Sequence, residues 1–403
     1  MGELPGPAAG VGHGLRAVSD RARVAIVGAG PQGLTAAIYL VQAGVDPSDL
    51  VVFDPAGEWL SEWKRWFAHL QIEHLRSAVV HHPHPKPYSL VDFARAHGRT
   101  CELLHTYSLP TTSLFVDFCQ HLVATMGLHD IVRCDTVLAV RPDGEIETEL
   151  GGDLKADHVV WATNASVPAV VPPVHRSIRS WDEAELGHCS GTVAVVGGGL
   201  TAAHLVERAL EVGAHVEWLS RRPVEVRDFD TDPGWLGPKE MNGFAAERDP
   251  RSRLDRVLAA RGGGTVPPWI LARISRAEQA GRVCRRVGEI VVGNNDEGPI
   301  ELSIDGSAVA ADHLWLATGS SPCVTAAPPL DRLCRSLGIE RFAGRPVLDA
   351  SLRLSGSVVH VMGRLAQLQL GPTAGNLAGA RRGAELVVGA VVGVEAMYAL
   401  ADG

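Results

Sequence analysis

The chain has 403 residues, 46% of them hydrophobic, enough for two or three domains with substantial cores. Its formal net charge of -9, with no long block of Lys or Arg, argues against a duty built on phosphate-backbone contacts, so nucleic acid is not an expected partner. Seven cysteines at 101, 119, 134, 189, 284, 323 and 334 form neither a C-x-x-C nor a paired metal spacing, which predicts reduced thiols in a cytoplasm.

Residues 1–20, rich in Gly, Ala and Pro, read as a flexible leader and not as a signal peptide. An apolar strand, Val24 to Val27, then enters Gly28-Ala29-Gly30-Pro31-Gln32-Gly33, a G-x-G-x-x-G turn. Gly28 permits the tight turn, Gly30 lets backbone approach a pyrophosphate, and Gly33 lets a helix over Leu34–Ala43 pack closely on the sheet. Pro31 and Gln32 complete this candidate dinucleotide cradle, and the helix start offers its free N–H groups to phosphates. A second strand, Leu50 to Phe53, ends in Asp54, where an acid accepts hydrogen bonds from an adenosine ribose.

Trp59, Trp63 and Trp66 fall at i, i+4 and i+7 of a helix predicted over Glu58–Ala68. That face serves core packing or, through Trp59 and Trp66, lines a flat aromatic cofactor. The His81-His82-Pro83-His84-Pro85-Lys86-Pro87 run lacks helical ligand pairs and acidic or cysteine partners, so a structured loop is expected and no metal. Helices are expected over Ser89–His97 and Ser113–Met126, and strands over Ile131–Val140 and Glu145–Leu150. The segment Ala156–Asn164 has a near copy at Ala311–Gly319.

Between the copies lies a second fingerprint, Val196-Gly197-Gly198-Gly199-Leu200-Thr201-Ala202, with Ala202 in the third small-residue place. Its partner strand, His215 to Leu219, ends in Ser220-Arg221-Arg222 instead of an acid. Two guanidinium groups there suit a 2′-phosphate and hence NADPH; the alternative is a solvated arginine pair. Residues 227–268 read as an irregular, charged insertion of functional-loop length, and Gly262-Gly263-Gly264 closes it. A strand over Val358–Met362 reaches Gly363, and a helix follows Gly371–Leu377, whose small residues let a flat ring lie at its positive end. The longest apolar run, Leu386–Val394, is too short to cross a bilayer, so a soluble, cytoplasmic protein is expected, with no membrane partner.

Two complete nucleotide folds, the second inserted between the Ala-Thr segments, resemble the two-dinucleotide flavoproteins over residues 22–395. The resemblance implies an α/β protein with two Rossmann-like domains. Residues 21–165 and 320–403 would form a discontinuous FAD domain, and 166–319 an inserted NADPH domain. Thr163, Thr318 and Gly319 would mark the crossings, with Gly363, Asn376 and Leu377 on the flavin side. Two positions depart from the pattern: Asn164 stands for a glycine, and Arg364 for the acid that many members place near the ribityl chain. The absence of a dithiol spacing separates the chain from disulfide reductases.

The stretch Leu70-Gln71-Ile72-Glu73-His74-Leu75-Arg76-Ser77, leading to Tyr88-Ser89-Leu90 and Phe93, is similar to that of the ornithine- and lysine-type N-hydroxylating flavin monooxygenases. That likeness implies a flavin-side Gln71 and an Arg76 orienting nicotinamide or an anionic substrate group. It also makes Asp228, Asp230 and Asn242 pocket residues, Asn242 as the substrate-binding asparagine. The implied reaction takes molecular oxygen and moves one oxygen atom from a flavin C4a-hydroperoxide to a small-molecule nucleophile, an amine before a sulfur. A reductase passing electrons to a partner protein and a non-catalytic flavin-binding regulator are the alternatives, and a homo-oligomer is compatible with each.

Overall fold

The computed structural model describes residues 20–104, 107–170, 178–182, 187, 189–293 and 299–393. The leader up to residue 19 and the chain after residue 393 therefore lie outside the described residues. Two sheets organise the rest, each with a parallel centre around the strand that enters one of the two fingerprints. The strand Arg21–Val27 is almost wholly buried, which is why it reads as a continuous apolar run and not as an alternation. It lies between Leu50–Asp54 and Leu154–Trp161, both parallel to it, with Ile26 opposite Val52 and Val160.

The strand Leu154–Trp161 divides its edge between two neighbours. Its first residues pair antiparallel with Glu145–Thr148, and its last pair in parallel with the returning strand Val359–Val361. The predicted strand over Ile131–Val140 is in fact two strands, and they sit at opposite ends of this seven-stranded sheet. Val132–Cys134 pairs with Leu50–Asp54, whereas Val137–Val140 pairs with Glu145–Thr148. Asp135 makes the break: its carboxylate accepts the N–H groups of Thr136 and Leu150, ending one strand and redirecting the chain.

The second sheet has the order Ile178–Ser180, His313–Leu316, Thr192–Val196, His215–Ser220, Val283–Val287, all parallel. Alternation along Thr192–Val196 divides two cores: Val193 and Val195 pack with Trp218 and Trp315, and Ala194 packs with Ile300, Leu302 and Ile304 of a three-stranded antiparallel sheet. Between the sheets run Ser166–Pro168 and Ser320–Pro322, paired antiparallel to each other at the two crossings.

The insertion corrects the expectation of an irregular loop. It contains the helices Pro238–Ala246 and Pro250–Arg261 around a small core of Trp235, Met241, Phe244 and Val257. Its apparent turn signals are helix starts, with Pro238 after the cap Gly237 and Pro250 after Asp249, whose carboxylate accepts from Arg251 and Ser252. This unit leans on the C-terminal segment: Arg253 donates to the Leu368 carbonyl at 2.9 Å, Arg261 to the Pro372 carbonyl at 2.9 Å, and the Met241 sulfur faces Gly371. Among the described residues no helix is long and apolar enough to cross a membrane.

Candidate cofactor and substrate sites

The first turn is built by close approach. Gly28 adopts φ +104°, and a Cβ on Gly33 would stand 2.0 Å from the Gly28 carbonyl oxygen, so only hydrogen fits where the helix crosses the turn. That helix begins at Pro31, three residues earlier than expected, with Gly30 as its cap. Around Gly30 the situation is reversed, since no described protein atom lies within 4 Å of where its Cβ would be. Asp54 braces the rim: one carboxylate oxygen accepts from Ala29 N–H at 2.9 Å and the other from Ala56 N–H at 3.0 Å. Each oxygen keeps a lone pair for a ribose hydroxyl.

The C-terminal turn closes on the same place. Gly363, at φ +75°, faces the Gln32 side chain, whose amide nitrogen donates to the carbonyls of Ala374 and Asn376. Its amide oxygen is buried and has no partner among the described residues. A buried acceptor in that state calls for a donor. An open cap glycine, an orphaned acceptor and a helix N-terminus together fit the pyrophosphate and hydroxyl groups of FAD. Asn376 caps the helix Leu377–Val392 by accepting from Gly379 N–H, and Thr163 packs its methyl under Gly28 while accepting from the Trp161 indole. Arg364, the departure from the family acid, lies across Gly375 and donates to the Ser320 hydroxyl at 2.8 Å and carbonyl at 2.5 Å.

The second turn repeats the design. Gly197 has φ +151° and its carbonyl accepts from the Trp218 indole at 2.7 Å, while Gly199 caps the helix Leu200–Glu211, which opens with Leu200 and Thr201. Thr318 and Gly319, the latter at φ +83°, follow the strand His313–Leu316 into the crossing. Arg221 and Arg222 are exposed at the end of His215–Ser220, and the Arg222 guanidinium lies over Gly263.

Several expected site residues are placed differently. Trp59 precedes the helix Ser61–His69 because Leu60 is left-handed at φ +61°, so the three indoles share no face. Trp59 is a core residue bonded to the Leu128 carbonyl, Trp63 stacks on Phe67, and Trp66 meets Trp181. This places Trp59 in the core with its indole N–H engaged, away from the helix face that its spacing assigns it. Gln71, at φ +48°, accepts with its amide oxygen from Arg208 of the helix Leu200–Glu211.

Arg76 is the largest correction. All five of its N–H donors are used, on the carbonyls of Arg227, Asp228 and Thr265, the Thr265 hydroxyl and the Asp230 carboxylate. None remains to orient a nicotinamide or substrate, so Arg76 is a tie between segments. Asp230, held at 3.1 Å by Arg76 and 3.7 Å by Arg261, is neutralised within the same network. Asn242 is exposed on the helix Pro238–Ala246, outside it. Asp228 and Asp230 are expected beside Arg76, but as pocket residues; that they and Arg227 and Thr265, 151 to 189 residues away, are its acceptors has no local signal in the chain.

The histidine run is a structured loop, as expected. His82 Nε2–H donates to the Pro87 carbonyl while Nδ1 accepts from His84 N–H, and Arg381 donates to the carbonyls of His82, His84 and Pro85. Burial, then Arg381, pushes His82 down to about 3; burial, then Lys86 and Arg381, takes His84 to about 4. No group of three or more His, Cys, Asp or Glu able to hold a metal occurs among the described residues.

Comparison with known proteins agrees with this architecture. The model of the pyridine nucleotide-disulphide oxidoreductase family matches residues 22–234. No curated protein matches the sequence. Among solved structures, the ornithine N-hydroxylase KtzI of Kutzneria sp. 744 is similar with TM-score 0.74 and 17% identity, over 92% of this chain and 99% of that one. The ornithine hydroxylase PvdA of Pseudomonas aeruginosa gives 0.71 and 17%, over 92% and 98%. The cadaverine monooxygenase DfoA of Erwinia amylovora, bound to FAD, gives 0.71 and 16%, over 93% and 95%. At these identities the likeness is one of fold.

Proposed function

Because the chain belongs to the pyridine nucleotide-disulphide oxidoreductase family, we propose that it is an FAD- and NADPH-dependent monooxygenase that N-hydroxylates a small-molecule amine. The observation that carries this reading is the fold shared with three amine hydroxylases along more than nine-tenths of the chain. The cysteine pattern supports it against the disulfide-reducing branch: the seven cysteines form no C-x-x-C spacing, and Cys323 and Cys334, the closest pair in sequence, are eleven residues apart.

FAD would be held at the first turn by Gly28, Gly30, Gly33, Asp54 and Gln32, with Gly363 and Asn376 behind it. NADPH would be held at the second by Gly197, Gly199, Leu200 and Thr201, with Arg221 and Arg222 on the 2′-phosphate. When bound, these cofactors supply the reducing electrons and the oxygen activation. The chain's own residues hold and orient: the Gly30 cap and Asp54 would fix the nucleotide end, and the insertion is tied to 368–372 by Arg253 and Arg261. The overall change is amine plus O2, NADPH and a proton giving hydroxylamine, NADP+ and water.

The test is NADPH oxidation by FAD-loaded protein across a panel of amines and thiols, with products identified by mass. An amine that gains one oxygen atom for each NADPH supports the reading. Hydrogen peroxide in full yield with every compound, alongside rapid reduction of an acceptor protein, makes the chain a reductase instead.

A further inference from the structure

The two nucleotide turns have the same backbone but different surroundings. Gly30 and Gly199 both cap their helices in extended conformation, at φ -75° and -109° with ψ -174° in each. The approach to Gly30 is open, whereas a Cβ on Gly199 would meet the Gly264 Cα at 3.5 Å. Reciprocally, a Cβ on Gly264 would stand 3.1 Å from the Gly199 Cα and 3.5 Å from its nitrogen. In a fingerprint of this kind the middle glycine is small so that a pyrophosphate can come against it. At Gly199 that position is taken by protein backbone.

The covering turn is made of glycines and is tied down on both sides. Gly262 and Gly264 have φ +61° and +94°, conformations that cost glycine little, and Gly263 carries the Arg222 guanidinium on its face. On one side Arg261 donates to the Pro372 carbonyl. On the other, Arg76 donates to the Thr265 carbonyl at 3.1 Å and hydroxyl at 2.7 Å, with its remaining N–H groups on Arg227, Asp228 and Asp230.

We propose that Gly262–Gly264 is a gate over the second nucleotide site, latched from the first domain by Arg76, and that a nicotinamide dinucleotide enters when this turn withdraws from Gly199. The inference rests on the reading that the second turn takes NADPH. Arg222 couples the two events, because the guanidinium that leaves Gly263 is one of the pair placed for the 2′-phosphate. Arg76 is accordingly a positioning residue that acts through Thr265 and touches neither nucleotide.

The experiment titrates FAD-loaded protein with NADP+, which binds without turnover, and follows both the dissociation constant and the association rate. Releasing a latch raises the binding-competent fraction, so Arg76→Met is expected to bind NADP+ about tenfold tighter and to associate faster. Thr265→Val, which removes one of the five acceptors, shifts both in the same direction by less. Unchanged or weaker binding in a variant that retains its FAD overturns the gate and makes the turn a fixed wall. Should Arg76→Met fold poorly, hydrogen exchange in the unaltered protein decides: amides 262–265 exchange faster with NADP+ if the turn withdraws, and slower or equally if it does not. NADP+ binding to none of the proteins, with FAD retained in all, contradicts the NADPH assignment as well as the gate.

Discussion

Two glycines three residues apart are predicted to fail in opposite ways. A methyl group at Gly33 would stand 2.0 Å from the Gly28 carbonyl oxygen and 3.2 Å from its carbon, both backbone atoms that cannot rotate aside. The helix Pro31–Gln42 must then lift from the strand Arg21–Val27 by more than an ångström, an overpacking cost of about 3 kcal/mol. At Gly30 the methyl would meet no described protein atom within 4 Å, and φ -75° suits any residue, so the cost to the fold is the poorer cap alone, under about 1 kcal/mol. That methyl would instead project into the approach left for a pyrophosphate. Denaturant unfolding of the FAD-free proteins and FAD titration separate the two effects. Gly33→Ala is expected to lose stability first; Gly30→Ala is expected to keep its unfolding midpoint and lose FAD affinity by tenfold or more, about 1.4 kcal/mol. Full FAD affinity in Gly30→Ala, or an unfolding penalty equal to that of Gly33→Ala, would refute this assignment of the first turn.

Three further outcomes follow from single contacts. Since His82 is held down at about 3 and an unfolded histidine titrates near 6.5, the unfolded chain takes up a proton that the folded chain refuses. Stability should therefore be unaffected by this group above pH 6.5 and fall below it by up to about 1.4 kcal/mol per pH unit, with His84 adding to the slope in the same direction until the pH nears 4; unfolding curves between pH 7 and 4.5 measure the slope, and His82→Gln should reduce it. Exchanging both Arg221 and Arg222 for Ala should raise the KM for NADPH about tenfold or more while leaving NADH nearly unchanged, a split that a solvated arginine pair would not produce. Trp59→Phe leaves the Leu128 carbonyl without its 2.9 Å donor and should cost about 1–2 kcal/mol of stability with FAD affinity intact; a loss of FAD affinity would return Trp59 to the cofactor.

The parts legible in the sequence are those whose cause is local. Val24–Val27 and Val193–Val196 announce buried parallel strands by unbroken apolar runs, and each glycine fingerprint carries its own steric reason at Gly28, Gly33 and Gly197. Asp54 was legible because the acid and the turn it braces are set by one strand–helix–strand unit. Where local signals have two meanings, the sequence misleads. Pro238 and Pro250 look like loop residues and are first residues of helices, and the strand expected over Ile131–Val140 hides a break that only the carboxylate of Asp135 reveals. Leu60 bears no turn signature, yet its left-handed backbone removes Trp59 from the helix face that spacing assigned it. Arg76 is singled out by a family resemblance of residues 70–77, but its contacts are fixed by acceptors brought in by the insertion, which no periodicity in that stretch could foretell.

The account's central claim is tested most directly by reducing the FAD-loaded protein with NADPH in the absence of oxygen and then mixing it rapidly with oxygen, with and without an amine. It predicts that NADPH bleaches the flavin, that return of colour depends on the presence of the right amine, and that the oxygen consumed appears in a hydroxylamine. Return of colour at one rate in every mixture, with all the oxygen recovered as hydrogen peroxide, would contradict it.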